Sequence, residues 1–418
     1  MLYLEYKINL LEKIEMRIPL FLDKDNYLQN PIMRRFLKQN NIKFVETRSE
    51  YIDKLEEFSN IKEENETMLK NWLLKIIKEG SKEICYKKLY HINNTIYDVS
   101  FVEQIIKNTY PNCPMSNILD YKNTNEFELV NYYIITNDSN KVKKIEFTFS
   151  RLYLCGEIDR MNETVVFPIF IEIYLEEGFI VSRAKAKSTL FPFDGKNFSH
   201  YGEPHIITMD VAEKLMNKII KVFDFTVEVD SKKVKNINSK MLYKLYCDYS
   251  FTPASVVSAI DTQNDLIDTF INKLFKNLSL DIRNKQKALL DARILVEKFV
   301  SINGDNEDIF TKDRSAYLIK ISSNDENELT TIDAKSSKSI PLQTTEAFFD
   351  SKKSVMQGKV CKRLSMVYKR KDETYFTGHN QQLEIQFGSK STFGFFKTLQ
   401  YAEEEDIQNV LQTIFRNY

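Results

Sequence analysis

Hydrophobic and polar positions switch period along the chain. Met68, Leu69, Trp72, Leu73, Ile76 and Ile77 recur at helical spacing between Lys62 and Gly80, and Gly80 suits a helix C-terminal stop. Residues 1–95 therefore read as mostly helical. The period then shortens to two. Ile145, Phe147, Phe149 and Tyr153 alternate with polar residues, and Val165, Phe167, Ile169, Ile171, Ile173 and Leu175 share one face of an extended strand. Glu176-Glu177-Gly178 predicts a hairpin turn, with 179–187 as the return strand. Thr208 is the expected N-cap of a helix over 209–223, with Asp210 in its first turn.

Helical spacing returns over 236–302. Thr252-Pro253 predicts a helix start that runs through Leu278, carrying Leu266, Ile267, Phe270, Ile271, Leu274 and Phe275. A further helix spans Leu289 to Phe299, and Asn303-Gly304-Asp305-Asn306 breaks it. Tyr317–Ile321, Val360–Tyr368 and Tyr375–Phe387 are strand candidates, with Lys371-Asp372-Glu373 as a turn between the last two. Glu403 to Phe415 is a terminal helix with acids at its dipole-favoured end. Helical, β, helical, β without βαβ alternation predicts the α+β class. The expected layout is a helical module (1–95), a β-rich domain with one helix (96–235), a helical connector (236–302) and a β-rich domain with a terminal helix (303–418).

Composition narrows the function classes. The 418 residues are 43% hydrophobic and 28% charged, a globular balance. Ten glycines and nine prolines leave little room for Gly-rich phosphate loops or low-complexity linkers. Lys+Arg and Asp+Glu are both 59, so any nucleic-acid surface must come from local charge segregation. Cys85, Cys113, Cys155, Cys247 and Cys361 are scattered, odd in number and without CxxC, which predicts reduced thiols. No run reaches the roughly 18 apolar residues of a membrane span, and charges interrupt the N-terminal segment, so neither membrane nor secretory signal is expected. A cytoplasmic location follows. Heavy use of Lys, Ile and Asn fits an A+T-rich bacterial genome.

One local pattern rises above this background. Phe36 and Leu37 face inward on a short helix that Asn40-Asn41 ends. Residues 42–46 are extended. Thr47 then caps a helix carrying Tyr51, Ile52, Leu55 and Phe58, with Glu50 completing a capping box. Residues 33–58 resemble the SAP motif and related helix–extension–helix DNA-binding modules, through Asn41-Ile42, Thr47-Arg48 and Tyr51-Ile52-Asp53-Lys54-Leu55. Asn41 stands where the family has glycine, which asparagine can replace because it tolerates left-handed backbone. Glu46 stands where a second glycine is common and puts a carboxylate near the phosphate position. The resemblance implies a phosphate at Thr47-Arg48, with Arg34, Arg35, Lys38, Lys43 and Lys54 as further contacts.

Two other basic patterns stand out. At strand period, Arg183, Lys185 and Lys187 share one face, as a ladder along a phosphate backbone or as partners of Glu172 and Glu176. Lys359, Lys362, Arg363, Lys369, Arg370 and Lys371 interleave with Tyr368 and Tyr375.

Catalytic motifs are absent. His200 and His205, with Asp194 and Glu203, match no metal-ligand spacing, and no P-loop, G-x-S-x-G or HExxH occurs. Asp333-Ala334-Lys335, with Asp313 upstream, echoes the acid-x-Lys of metal-dependent nucleases. Cys155-Gly156-Glu157-Ile158-Asp159-Arg160 closes a strand and reads equally as a turn. No catalytic residue, metal or cofactor is assigned. The expected function is non-enzymatic DNA binding in a bacterial mobile-element or phage-defence setting. The alternatives are a protein-interaction scaffold or homo-oligomer built on the apolar faces of 236–300, and a divergent nuclease.

Overall fold

A computed structural model of the chain describes residues 16–43, 45–161, 163–187, 189–195, 204–303, 307–312, 314–324, 331–370 and 382–418. The fold class is α+β, as expected. Four helices open it: α1 (Leu20–Lys24), α2 (Asn30–Gln39), α3 (Arg48–Ile61) and α4 (Glu63–Lys78). Glu63, Glu64 and Glu66 sit in the first turn of α4 and Lys75 and Lys78 in its last, complementing the helix dipole. Leu69, Leu73, Ile76 and Ile77 are buried in a core shared with Leu22, Leu28, Phe36, Leu37, Tyr51 and Leu55. The stripe is narrower than the spacing predicts, because Met68 is exposed and Trp72 lies half-buried on Phe36, ring centroids 4.5 Å apart.

β1 (Lys82–Lys88) follows, then α5 (Val99–Thr109), β2 (Glu128–Thr136), β3 (Val142–Cys155), β4 (Thr164–Tyr174), β5 (Phe179–Lys185), β6 (Leu190–Phe191) and α6 (Thr208–Val222). The β4–β5 hairpin turns where predicted, at Gly178, whose φ of 67° lies in the left-handed region that favours glycine. Thr208 is not the cap. It is the first helical residue, Ile207 is the N-cap, and the Thr208 hydroxyl instead donates to the Lys187 carbonyl at 3.1 Å.

Next come α7 (Ser231–Ser250), α8 (Ala254–Asp261), α9 (Asn264–Asn277) and α10 (Lys285–Asn303). The predicted continuous helix is broken between Asp261 and Asn264. Pro253 occupies the cap position of α8, and the Thr252 hydroxyl donates to Glu297 of α10 at 2.6 Å rather than capping. The chain closes with β7 (Ala316–Asn324), β8 (Thr331–Lys335), α11 (Glu346–Gly358), β9 (Arg363–Lys369), β10 (Gln382–Ser389), β11 (Gly394–Thr398) and α12 (Glu404–Asn417). The expected turn at 371–373 and the expected strand over 375–381 lie outside the described residues.

All these strands form one antiparallel sheet, ordered β2-β3-β4-β5-β1-β11-β10-β9-β7-β8, with β6 beside β3. The central and C-terminal strand runs meet where β1 pairs with β11, Ile84 opposite Phe396. Gly394 in that seam lies under the Tyr86 ring and the Asn238 side chain, and a Cβ there has no room.

Strand alternation sorts the layers. Val165, Phe167, Ile169, Ile171 and Ile173 of β4 all join one core with Val102 and Ile106 of α5 and Leu215, Met216 and Ile219 of α6. This is the face predicted from sequence. The opposite face of β4 is also covered, since Phe170 packs into the N-terminal helical core, Tyr174 bonds Gln408 of α12, and Arg183 links Glu172 to Glu404 of α12. Under the C-terminal strands, Met241, Leu242 and Leu245 of α7, Phe348 of α11 and Val410, Leu411 and Ile414 of α12 fill a further core. No described helix is long and apolar enough to cross a membrane.

Candidate functional site

The segment that resembles a helix–extension–helix module forms its local geometry. Asn41 adopts φ 57°, and the Ile42 N–H donates to the Leu37 carbonyl at 2.8 Å, closing α2 through a left-handed residue. Thr47 caps α3, and both halves of its box with Glu50 are formed.

The basic side chains go elsewhere than the resemblance implies. Arg48 is an internal fastener. Its Nε donates to Asp23 Oδ1 at 2.6 Å, one Nη to Asn30 Oδ1 at 3.0 Å and the other to the Leu28 carbonyl at 2.7 Å. Arg34 Nε donates to the Tyr51 hydroxyl at 3.0 Å and braces α2 on α3. Arg35 lies 3.7 Å from Glu403, and Lys54 pairs with Glu57 at 2.5 Å. Lys38 and Lys43 are exposed. At the N-terminus of α3, the Glu50 carboxylate already accepts the N–H groups of Thr47 at 2.9 Å and Glu46 at 3.2 Å. The Thr47 backbone and hydroxyl bonds hold its carboxyl below the usual range. An internal anion occupies the place expected for a phosphate, and the exposed Glu46 adds a second negative charge.

The ladder on β5 is corrected more sharply. Arg183, Lys185 and Lys187 do share a face, but that face is covered by α12 and the loop after α1. Arg183 is 0% exposed, its Nη2 2.6 Å from Glu172 and its Nη1 2.5 Å from Glu404. Lys185 Nζ donates to the Asn26 carbonyl at 2.7 Å above the Tyr27 ring, and Lys187 pairs with Asp25 at 2.6 Å. Burial, then the neighbouring Lys187 charge, pushes the Lys185 ammonium down to about 7. Burial alone would raise the Glu172 carboxyl, but Arg183, Lys144 and Lys78 together outweigh it and hold the group at about 2. The sequence alternative of pairing with Glu172 holds for Arg183, whereas Glu176 pairs with Lys143 at 3.7 Å. These cations hold elements together and present no stripe to a nucleic acid.

Of the third basic segment, Lys359, Lys362, Arg363 and Lys369 are exposed, whereas Arg370 is buried and donates to the Tyr401 carbonyl. Lys371 and Tyr375 lie outside the described residues.

The chemical candidates do not converge. Asp333 and Lys335 are both exposed on β8 at the end of the strand order, flanking the buried Ala334, and Asp313 lies outside the described residues. The His205 ring lies tilted against Phe191, ring centroids 4.3 Å apart, while His200, Glu203 and His379 lie outside the described residues. Among the described residues no group of three His, Cys, Asp or Glu is placed to hold a metal. Cys155–Arg160 is a turn in which Arg160 bonds Asp25 at 3.0 Å, tying it to the N-terminal helices. Cys85, Cys155 and Cys361 are buried, Cys113 is half-buried, Cys247 is exposed, and none is in a disulfide. A cleft of about 320 Å³ opens beside Lys75, Lys78, Asn131, Glu146 and Thr148, but Lys78 and Glu146 are already paired at 2.6 Å.

The feature that the sequence ranked second is the one with unmet physical demand. Helices α8–α10 bury Val256, Ile267 and Ile271 among their large apolar side chains and leave others in solvent. Leu266 is 67% and Phe270 60% exposed, one turn apart on α9. Leu295 is 55% and Phe299 56% exposed, one turn apart on α10. Leu278, Leu280, Ile282 and Leu290 are also exposed. α10 is anchored by Glu297–Lys352 at 2.6 Å and Asp291–Lys353 at 2.6 Å to α11, so the unit is fixed to the body while its outer side is bare. The signal in the sequence was the width of the stripe: Leu266-Ile267 and Phe270-Ile271 are two adjacent apolar columns, more than one helix contact needs. Comparison with family models, curated proteins and solved structures finds no match for this chain.

Proposed function

We propose that this protein is an interaction scaffold whose α8–α10 unit associates with protein. The observation that carries the reading is the exposure of Leu266, Phe270, Leu295 and Phe299 in pairs one turn apart on a firmly anchored unit. Singly exposed apolar residues are ordinary, but grouped ones on regular helices mark association surfaces. Two stripes at i, i+4 spacing match the way one helix is read by another. The test compares the tagged full-length chain with its Leu266→Ser/Phe270→Ser/Leu295→Ser/Phe299→Ser variant, each mixed with the untagged chain and with an extract of the cells that make it. Protein retained by the wild type and lost with the variant supports the reading. Equal retention by both contradicts it.

A second reading, DNA contact through residues 33–58, keeps one specific support. Left-handed Asn41 and the Thr47–Glu50 box match the local geometry that the resemblance calls for, with Lys38 and Lys43 exposed beside them. Fluorescence anisotropy with duplex DNA at two salt concentrations tests it. Salt-steep binding that weakens in Lys38→Ala/Lys43→Ala supports this reading, and no binding at low salt removes it.

A further inference from the structure

We infer that the cleft between the ends of α7 and α12 binds an oxyanion, the phosphate or carboxylate group of a small molecule, through Arg314 and Arg416. The cleft measures about 400 Å³, within the size range of small-molecule sites. No residue of the exposed columns on α9 and α10 lines it, so the inference does not depend on the association proposed for them. Among the described residues the buried arginines are Arg183, Arg314 and Arg370. Arg183 has Glu172 and Glu404, and Arg370 has Asp406 at 3.5 Å. Arg314 is 9% exposed and has no carboxylate partner among the described residues. A buried charge is costly unless it is paired. Burial pushes the Arg314 guanidinium below its ordinary range, and no opposing charge pulls it back.

The polar groups of the cleft are only partly used. Arg314 Nη1 donates to the Tyr249 carbonyl at 2.9 Å and Nη2 to the Phe251 carbonyl at 2.8 Å, where α7 ends. The Phe251 ring covers one face of the guanidinium, its centroid 3.8 Å from the central carbon. Arg314 Nε has no hydrogen-bond partner among the described residues and is not sealed from solvent. Nε–H and the second Nη2 hydrogen form the edge of a guanidinium that meets two oxygens of one anion. Arg416 donates Nε to the Gln412 carbonyl at 3.2 Å, and its Nη groups have no bond among the described residues. The Tyr249 and Ser315 hydroxyls lie 3.4 Å apart and share one hydrogen bond, which leaves one hydroxyl hydrogen spare. Closing helix C-termini accounts for the bonds to Tyr249, Phe251 and Gln412. It does not account for two guanidinium groups lining one cleft with no described acid paired to either. The exposed Asp248 also lines the cleft, and its single charge opposes an anion that two guanidinium groups attract.

Ligand-observed NMR on the full-length chain tests the assignment, with phosphorus line broadening for inorganic phosphate and saturation transfer for acetate, at fixed ionic strength in chloride. A saturable response from at least one probe is expected. Arg416 is exposed, so Arg416→Gln spares the core. It is expected to weaken binding at least ~10-fold, the worth of a lost charge-assisted hydrogen bond. Asp248→Asn is expected to tighten binding ~3-fold by removing a like charge, an effect that a fold defect would not produce. Tighter binding of phosphate than of acetate assigns a phosphoryl group to the ligand, and the reverse assigns a carboxylate. A saturable response that neither substitution alters puts the anion elsewhere and overturns the proposal. No saturable response from either probe up to ~10 mM also overturns it.

Discussion

Phe270 and Ile271 are neighbours in the chain, yet Phe270 is 60% exposed and Ile271 3%. One column of α9 is fastened to the molecule and the adjacent one is left for something else. The two residues should therefore respond oppositely to substitution. Ile271→Ala is expected to destabilise the helical unit by about 2–4 kcal/mol, the cost of a core cavity. Phe270→Ser is expected to change the stability of the single chain by less than about 0.5 kcal/mol. Denaturant melts at high dilution check both.

The Arg183–Glu172 pair makes a second prediction. Glu172→Gln leaves Arg183 buried without its one fully buried countercharge among the described residues, and a loss of about 3–5 kcal/mol is expected, as for other broken buried pairs. Replacing both, with Arg183→Met and Glu172→Leu, is expected to recover much of that loss. A double-mutant cycle in urea measures the coupling. No change in DNA affinity is expected from Arg183→Met, because the side chain never reaches the surface.

The same carboxyl gives the acid response its sign. Glu172 is held at about 2 in the fold against 4.5 in the unfolded chain. The unfolded state therefore takes up the proton first as pH falls. The stability from this group is complete above about pH 4.5 and is lost as pH drops toward 2. Glu79 has the opposite sign: burial raises its carboxyl, so its charge works against the fold at neutral pH. Melting temperature against pH, with and without Glu172→Gln, separates the two. The wild type should lose its advantage over Glu172→Gln between pH 4.5 and 2.

Arg48 makes a fourth prediction, one that divides the two functional readings. Its bonds to Asp23, Asn30 and the Leu28 carbonyl hold the loop after α1 against α3. Arg48→Ala is expected to loosen residues 20–30, with a stability loss of about 1–2 kcal/mol, reduced by the partial exposure of the pair. Hydrogen exchange over 20–61 should show it. If DNA affinity falls while protection in that segment is unchanged, Arg48 is a contact after all.

Much of the fold was legible because its periods are clean. The β4 face from Val165 to Ile173, the turn at Gly178, the cap at Thr47 and the left-handed Asn41 each follow from local chemistry that no distant contact overrides. What was illegible depends on what lands on a surface later. Strand alternation put Arg183, Lys185 and Lys187 on one side, but nothing local says that α12 and the loop after α1 close over that side. The break between Asp261 and Asn264 carries no glycine or proline, and so it reads as continuous helix. On α9, helical spacing marks Leu266, Ile267, Phe270 and Ile271 alike as apolar, and period alone cannot say which column meets the body. The width of the stripe was the available clue, and it suits association as easily as a core.

Retention of protein by the tagged wild-type chain and by its Leu266→Ser/Phe270→Ser/Leu295→Ser/Phe299→Ser variant, each mixed with the untagged chain and with an extract of the cells that make it, tests the central claim most directly. The account predicts protein held by the wild type and lost with the variant, whose melting curve is unchanged. Equal retention by both, or none by either, would contradict it.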